Sequence, residues 1–175
     1  DKQLLIKKML VEGKMEDAEA ALEQLKADKI SDPTELYLMA KIARKRGDDA
    51  AAIGHYKRAL ERNPSFEPAL VDMAKIHLEK KEIAEAKALF EKLLEINPNH
   101  SEAQVEIAQI ALYEKKYDEA LALADKALAT AQKTGAQDGI HGAYWLKARL
   151  AAAQGKTEEQ KAALEQAVAS RPKHE

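Results

Sequence analysis

PTELYLMAKIARKRGDDAAAIGHYKRALERNPSFEPALVDMAKIHLEKKEIAEAKALFEKLLEINPNH, residues Pro33–His100, is one 34-residue unit written twice without a gap. Asn63-Pro64 and Asn97-Pro98 close the two copies, and between them Met39 matches Met73, Ala52 matches Ala86 and Tyr56 matches Phe90. A repeat of this period marks arrays in which each unit buries its apolar stripe against its neighbours. Apolar residues recur at helical spacing, and glycine, acidic and Asn-Pro signals divide each copy into two helices.

The same plan extends in both directions, giving units at about 1–32, 33–66, 67–100, 101–134 and 141–174, with an insertion at 135–140. The first pair reads as helices over 2–11 and 15–27, separated by Gly13, the second of them with Ala18, Leu22 and Leu25 on one face. Leu4, Leu5, Ile6, Met9, Leu10 and Val11 cover more of the first helix than one buried stripe needs, so something is expected to pack on its outer side. Ser31-Asp32-Pro33 starts the next helix, 33–46, with a capping side chain and a proline whose missing N–H costs nothing in the first turn. Gly47 stops it, and Asp48-Asp49 suit the positive end of the partner helix, 50–62. Helices over 67–80, 83–96, 101–114 and 117–133 follow, the third of these capped by Ser101. No proline ends the fourth unit, so its second helix can run on by a turn. Pro98 to Pro172 is 74 residues, two periods and six more, and the segment 134–140 is read as one lengthened connection. The last pair falls at 141–154 and 157–170, and Gln160, Lys161, Glu165 and Gln166 give its final helix the solvated face that ends an array.

Composition agrees with helices: 46% hydrophobic, 33% charged and 5% aromatic residues leave few of the β-branched and aromatic types that strands favour. A net charge of −2 supplies no overall basic field for nucleic acid or an anionic membrane surface. The absence of cysteine excludes disulfides, thiolate metal sites and a thiol nucleophile, and leaves the compartment undecided. No run approaches the ~18 apolar residues that span a bilayer. The sequence begins at Asp1, which is read as a processed chain or an excised segment whose targeting sequence or anchor lies outside it.

These units resemble the tetratricopeptide repeat, matched slot by slot. The slot usually held by tryptophan has Leu36, Leu70, Gln104 and Tyr144, and the small residue of the first helix is Ala40, Ala74, Ala108 and Ala148. The tyrosine slot holds Ala43, His77, Ala111 and Ala151. In the second helix the small residue is Ala52, Ala86 and Ala120, with Gln160 departing, and the aromatic four later is Tyr56, Phe90, Ala124 and Leu164. Pro64, Pro98 and Pro172 fill the proline slot, where the fourth unit has Gln132. The resemblance implies an all-α, right-handed α-solenoid of about five helical hairpins whose first helices line a concave groove.

No chemistry competes with that expectation. His55, His77, His100, His141 and His174 are scattered without a ligand spacing, and no phosphate-binding or nucleophile motif occurs, so no metal, no cofactor and no catalysis are expected. In the groove that the resemblance implies, one slot holds Tyr37, Val71, Val105 and, after the insertion, Trp145. One turn on stand Lys7, Lys41, Lys75, Gln109 and Arg149, and the slot of Arg44 continues as Leu78 and Leu112. An apolar column therefore runs beside a basic one. Two alternatives stay open: Asp72 neutralises Lys75 within its own helix, leaving an ordinary solvated face, and Trp145 is core packing beside the insertion. Charges one repeat apart, ~10 Å, repel by only about 0.4 kcal/mol in water, so the column itself costs little.

The expected function is a non-catalytic protein-interaction scaffold that takes a peptide or helix with acidic and apolar residues along the groove. Some family members grip a peptide carboxylate with lysine and asparagine on successive first helices; this sequence has Lys41 and Lys75 there, so a heat-shock chaperone tail is not the expected ligand. The alternative is a self-association or assembly segment of a larger, membrane-anchored protein, using the first helix through Leu4, Ile6 and Val11.

Overall fold

The computed structural model describes residues 2–26 and 32–171, with the backbone alone at 23–26. Ser31, Ala27, Pro172, His174 and the side chain of Leu25, all used in the reading above, lie outside the described residues. Among those described there are ten helices and no strand, in two compact units, 1–82 and 83–175. The first unit contains α1 (Lys2–Val11), α2 (Met15–Lys26), α3 (Pro33–Lys45), α4 (Asp49–Arg62) and α5 (Glu67–Glu79). The second contains α6 (Ile83–Ile96), α7 (Ser101–Tyr113), α8 (Tyr117–Thr134), α9 (Gln137–Ala153) and α10 (Thr157–Ala169).

The period is visible in the backbone. Gly13, Gly47, Lys81, Lys115 and Gly155 occupy equivalent positions and all have a left-handed φ, between 60° and 80°. Each ends its helix in the same way: Lys115 N donates to the Leu112 carbonyl and Lys116 N to that of Ala111, as Gly47 and Asp48 do to Arg44 and Ala43. This double bond pattern satisfies the last carbonyls of a helix and turns the chain into its partner. Two of the five turns therefore use lysine where glycine would be unstrained. The Asn-Pro markers have their own mechanism, since the side chains of Asn63 and Asn97 accept hydrogen bonds from the N–H two residues on, at 3.0 and 3.2 Å. Asp32 and Asp48 cap α3 and α4 by accepting from Thr34 and Ala51 N–H groups, and Pro33 stands in the first turn. The Thr34 N–H bond, above all, holds the Asp32 carboxyl below the usual range.

In the first unit Ile6 and Leu10 of α1, Ala18 and Leu22 of α2, and Leu38 and Ile42 of α3 form one buried cluster. In the second, Val105, Ala108, Ala111 and Leu112 of α7 meet Ala120, Ala124 and Ala127 of α8 and Leu146 and Leu150 of α9. The small-residue slots are buried as the resemblance implies: Ala40, Ala52, Ala74, Ala86, Ala108, Ala120 and Ala148 all lie inside. Alanines here admit close backbone approach, while Tyr56 and Phe90, both fully enclosed, fill the wider gaps.

Three expectations change. Ser101 does not cap α7; it is the first helical residue, and the preceding His100 caps, its Nδ1 accepting from Ala103 N–H at 3.3 Å. Ile6 is not available for an outer contact, because it is wholly inside the first core, whereas Leu4, Leu5 and Val11 are exposed. The extra residues before Trp145 do not lengthen a connection either. With no proline at Gln132, α8 continues to Thr134, Gly135 turns the chain at φ 70°, and α9 begins at Gln137. The additional residues become helix, in α8 of 18 residues and α9 of 17, joined by Gly135 and Ala136 alone. Gly139 makes this fit: a Cβ there would sit 2.6 Å from the Ser101 Oγ and 2.9 Å from the Ala131 Cβ.

Candidate functional site

The first helices of the hairpins carry the expected site residues. In the first unit they are already engaged with one another. Asp72, on α5, accepts hydrogen bonds from the hydroxyls of Tyr37 (2.9 Å) and Tyr56 (3.3 Å), and its Oδ2 lies 3.3 Å from the Lys41 ammonium. Tyr37 packs edge-on against Phe66, with ring centroids 5.6 Å apart, and tilts against Tyr56 at 5.8 Å. Lys41 lies 5.9 Å from the centre of the Tyr37 ring. Burial, reinforced by the Asp72 charge, pushes both phenols well above the ordinary tyrosine range. Arg44 pairs with Asp49 at 3.2 Å and with Glu79 on α5, and the Glu79 bond raises its already high pKa. Lys41 and Arg44 are therefore met by carboxylates, and the positive column is offset where they stand. Val71 is buried at 8% exposure, Leu78 is half-buried, Lys75 is half-buried, and Lys7 is exposed.

Asp72 escaped the sequence reading as a site residue for α3. Its signal was present: the column one position after the apolar slot reads Leu4, Leu38, Asp72, Glu106, Leu146, so a carboxylate stands in a partly leucine column. Asp72 there faces α3, the first helix of the preceding hairpin, through Tyr37 and Lys41.

The second unit is arranged differently. Val105 and Leu112 are buried parts of its core, at 7% and 9% exposure. Gln109 bridges two helices, its amide oxygen accepting from Arg149 of α9 at 3.0 Å while its amide nitrogen donates to Glu106. Between α7 and α9 lies a hollow of about 520 Å3, lined by Val105, Gln109, Gly139 and Gly142 and edged by Glu102, Glu106 and Asp138. The glycines leave the room. Asp138, Gly142, Trp145 and Arg149 follow one another at the spacing of a single helical stripe, so Trp145 stands on the face of α9 that borders this hollow. Trp145 is 51% exposed and is no part of the core. Here an apolar ring, a guanidinium and a concavity share one face, while Tyr37 and Lys41 are consumed by internal contacts.

Among the described residues no helix is long and apolar enough to cross a membrane. Models of the tetratricopeptide repeat match residues 43–104 and 79–143, and a further one matches 141–174. A search of curated protein sequences gave no match. Among solved structures, PilF of Pseudomonas aeruginosa superposes with a TM-score of 0.81 at 15% identity, covering 99% of this chain and 76% of that one. A MamA crystal structure gives 0.72 at 15%, covering 93% and 92%. YrrB, described as a tetratricopeptide protein with an unusual peptide-binding site, gives 0.68 at 17%, covering 99% and 86%. At these identities the likeness is one of fold, whereas the repeat models cover most of the sequence from Ala43 onward. The chain belongs to the tetratricopeptide repeat family.

Proposed function

We propose that this chain is a protein-binding scaffold that takes a peptide or helical segment along the first-helix face of α7 and α9. The observation that carries the reading is the half-exposed Trp145 on the stripe that borders the α7–α9 hollow, with Arg149 one turn on. Tryptophan and arginine dominate binding energy where they become enclosed, and a concavity beside them gives a partner side chain somewhere to go. The partner suited to this face places an apolar side chain in the hollow and a carboxylate at Arg149. Because Asp72 and Glu79 offset Lys41 and Arg44, selectivity for acidic residues concentrates at Arg149 in this account. Neither nucleic acid nor a cofactor is required.

Selection of peptides from a randomised display library against the wild-type chain tests this. Selected peptides should carry apolar and acidic residues and lose about 2 kcal/mol or more of affinity for Trp145→Ala, with a smaller loss for Arg149→Glu. Peptides that bind both variants as well as wild type would remove the site from consideration.

A second reading, self-association through α1, is favoured by one observation: Leu4, Leu5 and Val11 stand exposed on a helix whose other side already fills the first core.

A further inference from the structure

The repeat itself indicates what would cover the exposed side of α1. Leu4 is equivalent to Leu38 and Leu146, each 1% exposed, yet Leu4 is 66% exposed. Leu38 is buried in a cluster with α1 and α2, and Leu146 in one with α7 and α8; in each case the cover is the preceding hairpin. Leu5, at 50% exposure, matches Met39, which packs in the same cluster as Leu38. Lys8 falls in the column of Ile42 and Leu150. The outer side of α1 thus has the register of a surface that packs on the second helix of a preceding hairpin.

Helix α10 has the converse surface. Leu164 and Val168 are equivalent to Ala124 and Leu128 of α8, which pack in the cluster that includes Leu146 and Leu150 of the following helix. Val168 is 74% exposed, and with Thr157, Gln160 and Leu164 it lines an open apolar depression along α10. The polar face expected there is interrupted by these residues. Glu165 stands where Asp125 does, and Asp125 receives Lys147 of α9 at 2.6 Å. The matching helix α1 carries Lys2, Lys7 and Lys8 and no acid, while α10 carries Glu158, Glu159 and Glu165 against Lys161. Like helices repel, and α1 and α10 attract.

We propose that α10 of one copy receives α1 of a second copy, in a head-to-tail contact that continues the hairpin-on-hairpin packing of the repeat, with the basic helix α1 of one chain against the net-acidic helix α10 of the other. This rests on the self-association reading given above and supplies its mate and polarity. Such a contact is heterologous, so each copy keeps one open face and association does not stop at a dimer. A single helical layer is a small interface, and the assembly is therefore concentration-dependent.

Sedimentation velocity on the full chain across a concentration series, with Leu5→Glu and Val168→Glu, tests the proposal. Both positions are exposed, and circular dichroism checks that the helices persist. Wild-type average mass should climb beyond that of a dimer. Each variant alone should associate at least about tenfold more weakly, because every contact needs both faces. Mixed together, the two variants should form one-to-one dimers and stop, since one intact α1 and one intact α10 remain. A wild-type chain that stays monomeric at every concentration would overturn self-association itself. Wild-type association that ends at a dimer, or a mixture no more associated than its components, would leave self-association standing and overturn the α1–α10 pairing.

Discussion

Replacing Asp72 by alanine removes the acceptor that ties α5 to α3 and α4, and the expected cost follows from its three partners. The Tyr56 hydroxyl belongs to a residue with no exposed surface, so losing its acceptor leaves a buried donor unsatisfied, at about 1–3 kcal/mol. Tyr37 is partly buried and loses a 2.9 Å bond to a carboxylate, for about 1 kcal/mol after partial compensation by water. The Lys41 side chain is 38% exposed, and its pairing contributes about 0–1 kcal/mol once solvent screening is counted. Asp72→Ala should therefore destabilise the first unit by about 2–5 kcal/mol, and Asp72→Asn, which keeps an acceptor, by less. Tyr56→Phe provides the control: with Asp72→Ala it should give a coupling energy of about 1–2 kcal/mol in a double-mutant cycle. Urea denaturation measures the total, and amide hydrogen exchange along α3, α4 and α5 shows whether the loss is local, as repeat arrays can open unit by unit. An Asp72→Ala chain within about 0.5 kcal/mol of wild type, or a cycle with no coupling, would refute the assignment of Asp72 as the junction between these helices.

Gly139→Ala should destabilise the second unit by about 1–3 kcal/mol through collision with Ser101 and Ala131. Gly142→Ala, whose Cβ would meet Val105 at an ordinary 3.6 Å, should be neutral or stabilising, as thermal melts of the pair will show. Lys115→Gly should raise stability by about 0.5–1 kcal/mol by relieving a left-handed φ of 60°, read as a higher urea midpoint at unchanged slope. The tyrosine cluster sets an alkaline limit. Folded Tyr37 and Tyr56 keep their protons above the ordinary pKa of about 10, so their contribution is complete below that value and is lost as pH rises through the folded values. Tyr37→Phe with Tyr56→Phe should flatten this decline in denaturation measured on both sides of pH ~10.

The hairpins were legible because their punctuation is local. Asp48 caps α4, Gly13 and Gly47 turn the chain, and Asn63 and Asn97 accept from their own neighbours, all within a few residues. Lys81 and Lys115 carry no such signal, and their turns were placed by the period alone. The join before Trp145 was misread because an insertion counts residues without saying whether they become loop or helix. That depended on the room Gly139 gives against Ser101, a contact far apart in sequence. The site was legible as columns but not as contacts. The basic column is visible in the sequence as residues, yet Asp72 and Glu79 reach back from α5 to meet Lys41 and Arg44, and one-dimensional spacing does not show which carboxylate a lysine meets. Trp145 was readable as a residue type and unreadable as exposed or buried.

Trp145 is the only tryptophan in the chain, so it reports on the proposed site without labelling. The most direct measurement is its emission spectrum during titration with a peptide selected against the wild-type chain. Occupation of the α7–α9 face predicts a saturable blue shift as the half-exposed indole is enclosed, with the same midpoint as binding measured by calorimetry. Saturable binding in the calorimeter with Trp145 emission unchanged would place the partner elsewhere and contradict the account.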